Sequence, residues 1–445
     1  MSASDIFLIG SSGLRAYQSQ LATISQNISN VGSTNYTRRT TTISESVLSG
    51  SSNALYKQTV NFGGAVVTGI SRASDDYLSA RARQTGTDLS YANSYLGWVN
   101  NIESALNDDE TGIGTTLTNF YSSVDQLAAN PSDSSLRTSM LYQLEQVTSA
   151  FKTSASDLES VMDQSYASVE SEIGLLNNAL SALQDINKSL TLATSNTANQ
   201  AQLLDSRDAL LRTISEKLNV SINLAENGTA TVTYDGTVIA NTSSASTFSV
   251  AQNSDKTMTL SLDGTEVADP ANGTMGGDFA GSTTARERLD TLDEMAVQLA
   301  SDLNTWHQQG YTDGGSAGGA LLSVGTTASS LSVAITSTAD IAVASSDGTV
   351  NGNLVNIGTV REASDIESRW TELVTAQGNL VSTISDKQSL AENRDEIARN
   401  ALEEVSGVNL DVEAADLLRV QQAYQACARV VQAAKDIIDS ILNLN

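Results

Sequence analysis

Apolar and small residues recur at alternating steps of three and four near both ends of the chain. From Leu417 the series continues through Val420, Tyr424, Cys427, Val431, Ala434, Ile438 and Ile441. An alternation held over more than three heptads reads as a coiled-coil seam, narrower than a general core face. Asn409 or Asp411 can cap this helix, and Asp411, Glu413 and Asp416 set negative charge where the helix dipole favours it. Arg429 and Lys435 follow in its second half with the matching sign. About 33 helical residues would reach roughly 50 Å, and the seam needs a partner. The same alternation recurs at Leu14, Tyr17, Leu21, Ile24, Ile28 and Val31. Two such stripes at opposite ends predict that the termini pair and that everything between them is an insertion. The competing reading is two unrelated amphipathic helices, each packed on its own neighbour.

The chain between is mainly α with a small β insertion. Residues 30–42, rich in Asn, Gly, Ser and Thr, end the first helix, and 43–70 lean towards β with a turn at Gly63-Gly64. Helix is expected over 72–107, again after Gly112-Ile113-Gly114, and up to a stop at Asn130-Pro131. Leu136, Met140, Leu144, Val147, Phe151, Leu158 and Val161 mark one long amphipathic helix, and Ile173, Leu176, Leu180, Leu183, Ile186 and Leu190 the next. A further helix follows at 203–218. The period then changes to two, and Asn227-Gly228, Asp235-Gly236 and Asp263-Gly264 are hairpin turns, so 220–268 reads as a β meander. Helix resumes at 284–307, and a Gly/Ser/Thr-rich loop spans 310–330. From Asp365 helix continues to the end, weakened at 386–396, where the apolar stripe lapses and a hinge is expected. This divides the chain into a terminal coiled-coil domain, residues 1–50 plus 395–445, and an elongated helical body, residues 51–394.

With 445 residues and only two prolines, Pro131 and Pro270, long helices run uninterrupted. Aromatics are 5%, so the cores must be built from small aliphatics. The net charge of −27 argues against a nucleic-acid partner. Residues 1–60 hold four bases and two acids, and 398–445 four bases and seven acids, so the middle carries −26. The ends are near-neutral contact surfaces; the middle is a solvated exterior.

Little reactive chemistry is present. Cys427 is the single cysteine, which excludes an intrachain disulfide and reads as a small hydrophobe on the seam. His307 is the single histidine; that rules out His clusters for metal and most His-dependent triads, and it is expected as a polar residue near a helix end. Asp108-Asp109-Glu110 reads as solvated loop charge. Gly10-Ser11-Ser12-Gly13 lacks the length and the Lys of a phosphate loop, and the glycines near 314–319 read as a flexible loop. Nothing points to a catalytic residue, a cofactor or a metal, so no enzyme is expected. No run of 18 apolar residues occurs, so no membrane span is expected, and the N-terminus lacks the regions of a cleaved signal peptide.

Several segments carry a family resemblance. Ser25-Gln26-Asn27-Ile28-Ser29-Asn30 with Tyr36-Thr37-Arg38 resembles the N-terminal signature of the flagellar axial family, the rod, hook and hook-associated subunits. Asn35 stands where that signature has Gly, and Asn tolerates left-handed backbone better than other residues. Ser406-Gly407-Val408-Asn409-Leu410-Asp411 and Gln421-Gln422-Ala423-Tyr424-Gln425-Ala426 resemble the hook-filament junction branch of that family. Gly69-Ile70-Ser71-Arg72 with Asp76-Tyr77-Leu78, Leu204-Asp205-Ser206-Arg207-Asp208, and Leu303-Asn304-Thr305-Trp306-His307-Gln308-Gln309-Gly310 are similar to internal segments of the same branch.

The resemblance implies an extracellular structural subunit of the bacterial flagellum at the hook-filament junction. It implies export through a type III channel without a cleaved signal, with the termini forming an inner tube wall. Implied partners are copies of itself, the hook protein, the next hook-associated protein on the filament side, and an export chaperone on the C-terminal helix. The assembly positions are Leu14, Tyr17, Leu21, Ile24, Asn27, Ile28, Asn30, Val31 and Tyr36, with Leu417, Val420, Tyr424, Cys427, Val431, Ala434, Ile438 and Ile441. Too few residues separate Gly310 from the apolar run at 331–335 to hold the family's outer β domain, which is expected to be absent or reduced to a loop. A hook or distal-rod subunit would share both terminal signatures but have a more β-rich middle. A secreted enzyme on an axial scaffold would need a polar constellation within 220–345, and none is visible. A coiled-coil scaffold unrelated to flagella would not carry the internal similarities.

Overall fold

The computed structural model describes residues 3–46 and 63–442. Helix α1 (Ala3–Ser29) ends in a turn, and the chain crosses into β1 (Arg39–Glu45), which pairs antiparallel with β2 (Ala65–Arg72). The register sets Arg39 opposite Arg72 and slips once, at Thr42/Ile43. The domain edge expected at 50/51 lies outside the described residues. Asp75 then caps α2 (Asp76–Ala105) by accepting from the Leu78 amide, and α3 (Ile113–Ala129) stops at Asn130-Pro131 as expected.

The two amphipathic stripes expected after Pro131 belong to one helix of 59 residues, α4 (Ser134–Leu192), capped by Asp133. Between Met162 and Val169 the buried face is continued by Ser165, whose hydroxyl donates to the Asp278 carbonyl at 2.8 Å. A small hydroxyl carries no hydrophobic signal, so one face read as two. Thr197 caps α5 (Ala198–Lys217).

The expected β meander is two separate three-stranded antiparallel sheets. One holds β3 (Ser221–Leu224), β4 (Ala230–Tyr234) and β5 (Thr237–Ala240); the other holds β6 (Phe248–Gln252), β7 (Met258–Leu262) and β8 (Thr265–Glu266). Asp235-Gly236 and Asp263-Gly264 have positive φ at both residues, the backbone that a two-residue hairpin of matching twist requires. Alternate residues of β4 and β7 are buried, and these join the core.

Helix α6 (Gly273–Gln308) begins eleven residues ahead of the expected start at 284. Its first turns contain Gly276, Gly277 and Gly281, poor helix formers that let it lie directly on α2. A Cβ on Gly277 would come within 2.7 Å of the Tyr91 carbonyl oxygen and of Ser94 Cβ. Beyond α6 the chain makes a short excursion with β9 (Leu322–Ser323) paired to β10 (Ser332–Val333), then α7 (Gly352–Val355) and α8 (Ile357–Ser364). No further domain is inserted here. The 310–330 stretch is not a free loop, because Leu321, Leu322 and Ala328 are fully buried.

Helix α9 (Ile366–Ser406) runs unbroken through 386–396, so the expected hinge and the domain edge at 394/395 fall inside a helix. The stripe lapses there because its inward positions are Ala391, Asp395 and Ala398, packed on α2, where Thr85 donates to Asp395 at 3.1 Å. The break is instead at Gly407–Asn409, before α10 (Leu410–Leu442), where Asn409 accepts from the amides of Asp411 and Val412. Two apolar cores hold the body together. One gathers α3, the first half of α4, the second half of α6, the excursion and the start of α9; the other gathers the second half of α4, α5, both sheets and the start of α6. Helices α4 and α6 span both.

Candidate functional site: the terminal helix pair and its polar anchor

Helices α1 and α10 pack along one another, and among the described residues α10 makes its extensive contacts with α1 alone. The innermost residues of α1 are small: Gly10, Gly13 and Ala16 are buried, followed by Thr23, Ile24 and Asn27. A Cβ on Gly13 would lie 2.9 Å from Cys427 Sγ, and one on Gly10 would lie 2.8 Å from Val431 Cγ2. The contact face of α1 is therefore turned by one residue, about 100°, from the stripe of large residues.

Of the expected α1 positions, Ile24 is buried, while Leu14, Tyr17, Leu21 and Ile28 flank the contact half-buried. Val31 lies beyond the helix and is exposed. On α10, Val420 and Ala434 are buried; Leu417, Cys427, Val431 and Ile438 are half-buried; Tyr424 is exposed. The side chain of Ile441 lies outside the described residues. Phe7, Leu8, Leu418, Val430 and Ile437 add further exposed apolar surface to the pair.

The pair is anchored to the body by a buried polar network. Asn27, 1% exposed, donates from Nδ2 to the Arg39 carbonyl at 2.9 Å and to Glu413 Oε2 at 3.0 Å. Its Oδ1 accepts from the Arg39 amide at 3.0 Å and the Tyr36 hydroxyl at 2.8 Å. Arg38 Nε donates to the other oxygen of Glu413 at 2.7 Å, so one buried carboxylate on α10 reads both α1 and the turn after it. Burial raises the Tyr36 hydroxyl above the usual phenol range. Asn30, half-buried, only donates back to the Gln26 carbonyl. Asn35 stays out of the left-handed region, so this turn does not need the glycine of the family signature.

From there the network enters the body. Arg39 Nη2 donates to Asp205 at 2.8 Å, and Arg72 Nε lies 2.8 Å from the other oxygen of Asp205, an ion pair misaligned for a hydrogen bond. Arg72 also holds Asp208 at 2.7 Å, and Arg207 grips Asp208 on one side and the Gly228 carbonyl on the other. The amide of Arg38 donates to the Ser406 carbonyl, closing the hinge between α9 and α10. Segments noted separately in the sequence, around Asn27, Arg72, Asp205 and Ser406, thus meet in one place. Glu413, read only for its sign at a helix start, and Arg39, Arg72 and Asp205 were missed as partners; Arg39 and Asp205 lie 166 residues apart and Arg38 and Glu413 375 apart, beyond any local pattern.

The remaining reactive residues serve the fold. His307 is fully buried; Nε2 accepts from the Ala342 amide at 3.0 Å, so Nδ1 carries the proton and donates to the Gly319 carbonyl at 2.8 Å. Burial holds its pKa below the usual imidazole value. Asn304 accepts from the amides of Leu321 and Leu322, and Trp306 donates to the Asn353 carbonyl. The Asn304–Gly310 segment is thus the staple that closes the excursion onto α6. Among the described residues no group of His, Cys, Asp and Glu has the arrangement of a metal site, and no helix is long and apolar enough to cross a membrane.

The flagellar hook-associated protein FlgK helical domain matches residues 99–322, and the flagellar basal body rod FlgEFG protein C-terminal segment matches residues 399–444. Flagellar hook-associated protein 1 of Salmonella typhimurium is 23% identical over 201 residues, 45% of this chain and 35% of that protein. The protein of the same name from Bacillus subtilis is 23% identical over 200 residues, 44% of this chain and 39% of that one. The matched region thus spans little more than a third of the length of these relatives. The flagellar hook junction protein FlgK from Burkholderia pseudomallei has a similar fold, with a TM-score of 0.51 at 20% identity over 55% of this chain and 46% of that one.

Proposed function

This chain belongs to the family of the flagellar hook-associated protein FlgK, and from that premise we propose that it is a structural, non-catalytic subunit joining hook to filament. One observation carries the mechanism. Small residues make the α1–α10 contact, so the large ones, Leu14, Tyr17, Leu21 and Ile28 with Leu417, Val431 and Ile438, remain half-buried along its flanks. Neighbouring subunits complete their burial, each fully buried side chain of this size contributing about 1.5–3 kcal/mol. Asn27 and Tyr36 act differently from these apolar positions: they hold the pair to the body and do not meet the neighbour.

In this reading α1, β1, β2 and α10 form the inner module, with its edge at Gly407, and the acidic two-core body faces outward. The neighbours are copies of the chain, the hook protein below and the next hook-associated protein above, in head-to-tail contacts suited to a ring or tube. The chain is exported to the flagellum with both ends unfolded, and a chaperone covers the apolar side of α10 until assembly. A hook or distal-rod role shares the rod-type C-terminal segment; it is set against the helical body that matches the junction branch. Electron microscopy of a strain deleted for this gene tests the assignment. Complete hooks without filaments are expected, and absent hooks would move the chain to the hook or rod.

A further inference from the structure

The cleft beneath the turn of residues 30–37 holds more arginine than its own carboxylates satisfy. It encloses about 430 Å³ between that turn, α2, α5 and the last turns of α9. Arg72, Arg83, Arg212 and Arg399 line it, with Asp205, Asp208 and Glu403. Arg72 is paired with Asp205 and Asp208, and Arg399 with Asp395. Among the described residues the Arg83 guanidinium makes no hydrogen bond, and that of Arg212 makes only a long one, 3.5 Å, to the Thr34 carbonyl; neither has a carboxylate within ion-pair distance. Burial disfavours the charge on Arg83; Asp208 and Asp76 attract it and Arg207 and Arg212 repel it, and burial prevails, holding its pKa below the ordinary value. A guanidinium does not shed its proton at physiological pH, so such a site is relieved by an anion.

One further carboxylate on the lining, Glu403, is exposed and forms no ion pair among the described residues. A second copy has many, since the chain holds 51 acidic residues against 24 basic ones and the excess lies on the body. We propose that this cleft receives carboxylate side chains from the acidic body of a neighbouring copy, held by Arg83 and Arg212. The inference rests on the assembly reading above and adds a contact between bodies to the contact between terminal helices. Its position gives it a consequence. The walls include Thr34, Tyr36, Ser406 and Gly407, so an occupant bridging α2 and α5 to the turn and hinge fixes the angle between terminal pair and body.

The test uses the full chain in a strain lacking the gene, with a photo-crosslinking amino acid in place of Ser79, which lines the cleft. Irradiated, purified hook-filament assemblies are expected to give an adduct of twice the chain mass, with the joined peptide carrying Asp or Glu. Arg83→Glu with Arg212→Glu is expected to lower that adduct about tenfold or more, as like charges do at an interface, with secretion unchanged. Should the double Glu variant fail to fold, Arg83→Gln with Arg212→Gln removes the charge at nearly constant shape and must show the same loss. An adduct with a different flagellar protein, no adduct, or an adduct insensitive to these substitutions overturns the inference. A deletion strain that still builds filaments overturns the assembly reading instead; filaments lost on deletion and restored by the chain with unchanged arginines, yet with no adduct from position 79, sink the cleft proposal alone.

Discussion

Asn27 uses both amide hydrogens and its carbonyl oxygen inside the protein, and every partner belongs to a different part of the chain. The Arg39 backbone gives it β1, Tyr36 the turn, and Glu413 the far helix. A buried polar group left without a partner costs about 1–3 kcal/mol, and Asn27→Ala strands the Arg39 amide and carbonyl while leaving Glu413 only Arg38. The expected loss is about 2–4 kcal/mol, confined to the terminal module, because the two body cores do not touch Asn27. Urea denaturation followed by probes in α1 and in α4 would separate the two; an equal loss at both sites would show that the network is not local. Glu413→Gln should be milder, since it keeps an acceptor for Asn27 and gives up only the charge facing Arg38. Asn27, Tyr36 and Arg38 are legible in the sequence through resemblance and not through physics. Their hydrogen bonds join residues 9 to 386 positions apart, and no local pattern carries that information.

At the scale of single elements, hydrophobic period found the helices and missed how they meet. Leu14, Tyr17 and Leu21 marked α1 correctly, yet the face against α10 is made of Gly10, Gly13 and Ala16, residues to which hydropathy gives little weight. The start of α6 was hidden for the same reason, and α4 was read as two helices because Ser165 interrupts its stripe. Turn chemistry fared better, since a positive φ at Asp235-Gly236 and Asp263-Gly264 is a local demand that the residues themselves announce. Glycine therefore has opposite meanings in two helices. Gly174 in α4 is exposed with nothing near its would-be Cβ, so Gly174→Ala should stabilise by about 0.5–1 kcal/mol through helix propensity and a less flexible unfolded chain. Gly277→Ala meets backbone atoms of Tyr91 and Tyr95 at 2.7 and 2.8 Å, which outweighs the same propensity gain and should destabilise by about 1–3 kcal/mol. Urea midpoints of the two variants, moving in opposite directions, check the distinction; a stabilised Gly277→Ala would mean that α2 and α6 are free to separate.

Across the whole molecule, burial is unevenly shared. The body has two cores stitched by α4 and α6, whereas α10 buries only Glu413, Val420 and Ala434 over residues 410–440. Ordering a residue costs roughly 1–2 kcal/mol of backbone entropy, and a helix with so few enclosed side chains has little to set against that in the single chain. The uneven charge points the same way, with near-neutral ends and the excess negative charge on the body. The terminal module joins the body through the Asn27 network, the Arg39–Asp205 pair and the bend at Gly407–Asn409, so its opening need not disturb either core. Amide exchange on the isolated subunit should therefore find α1 and α10 exchanging at least a hundredfold faster than the centres of α4 and α6, the behaviour of a separate low-stability unit. In assembled flagella the same amides should become as protected as the body, since the missing burial is then supplied. Equal protection of all four helices in the free subunit would mean that the pair is self-sufficient, and that the half-buried residues on its flanks are ordinary surface and not the unfinished half of an interface.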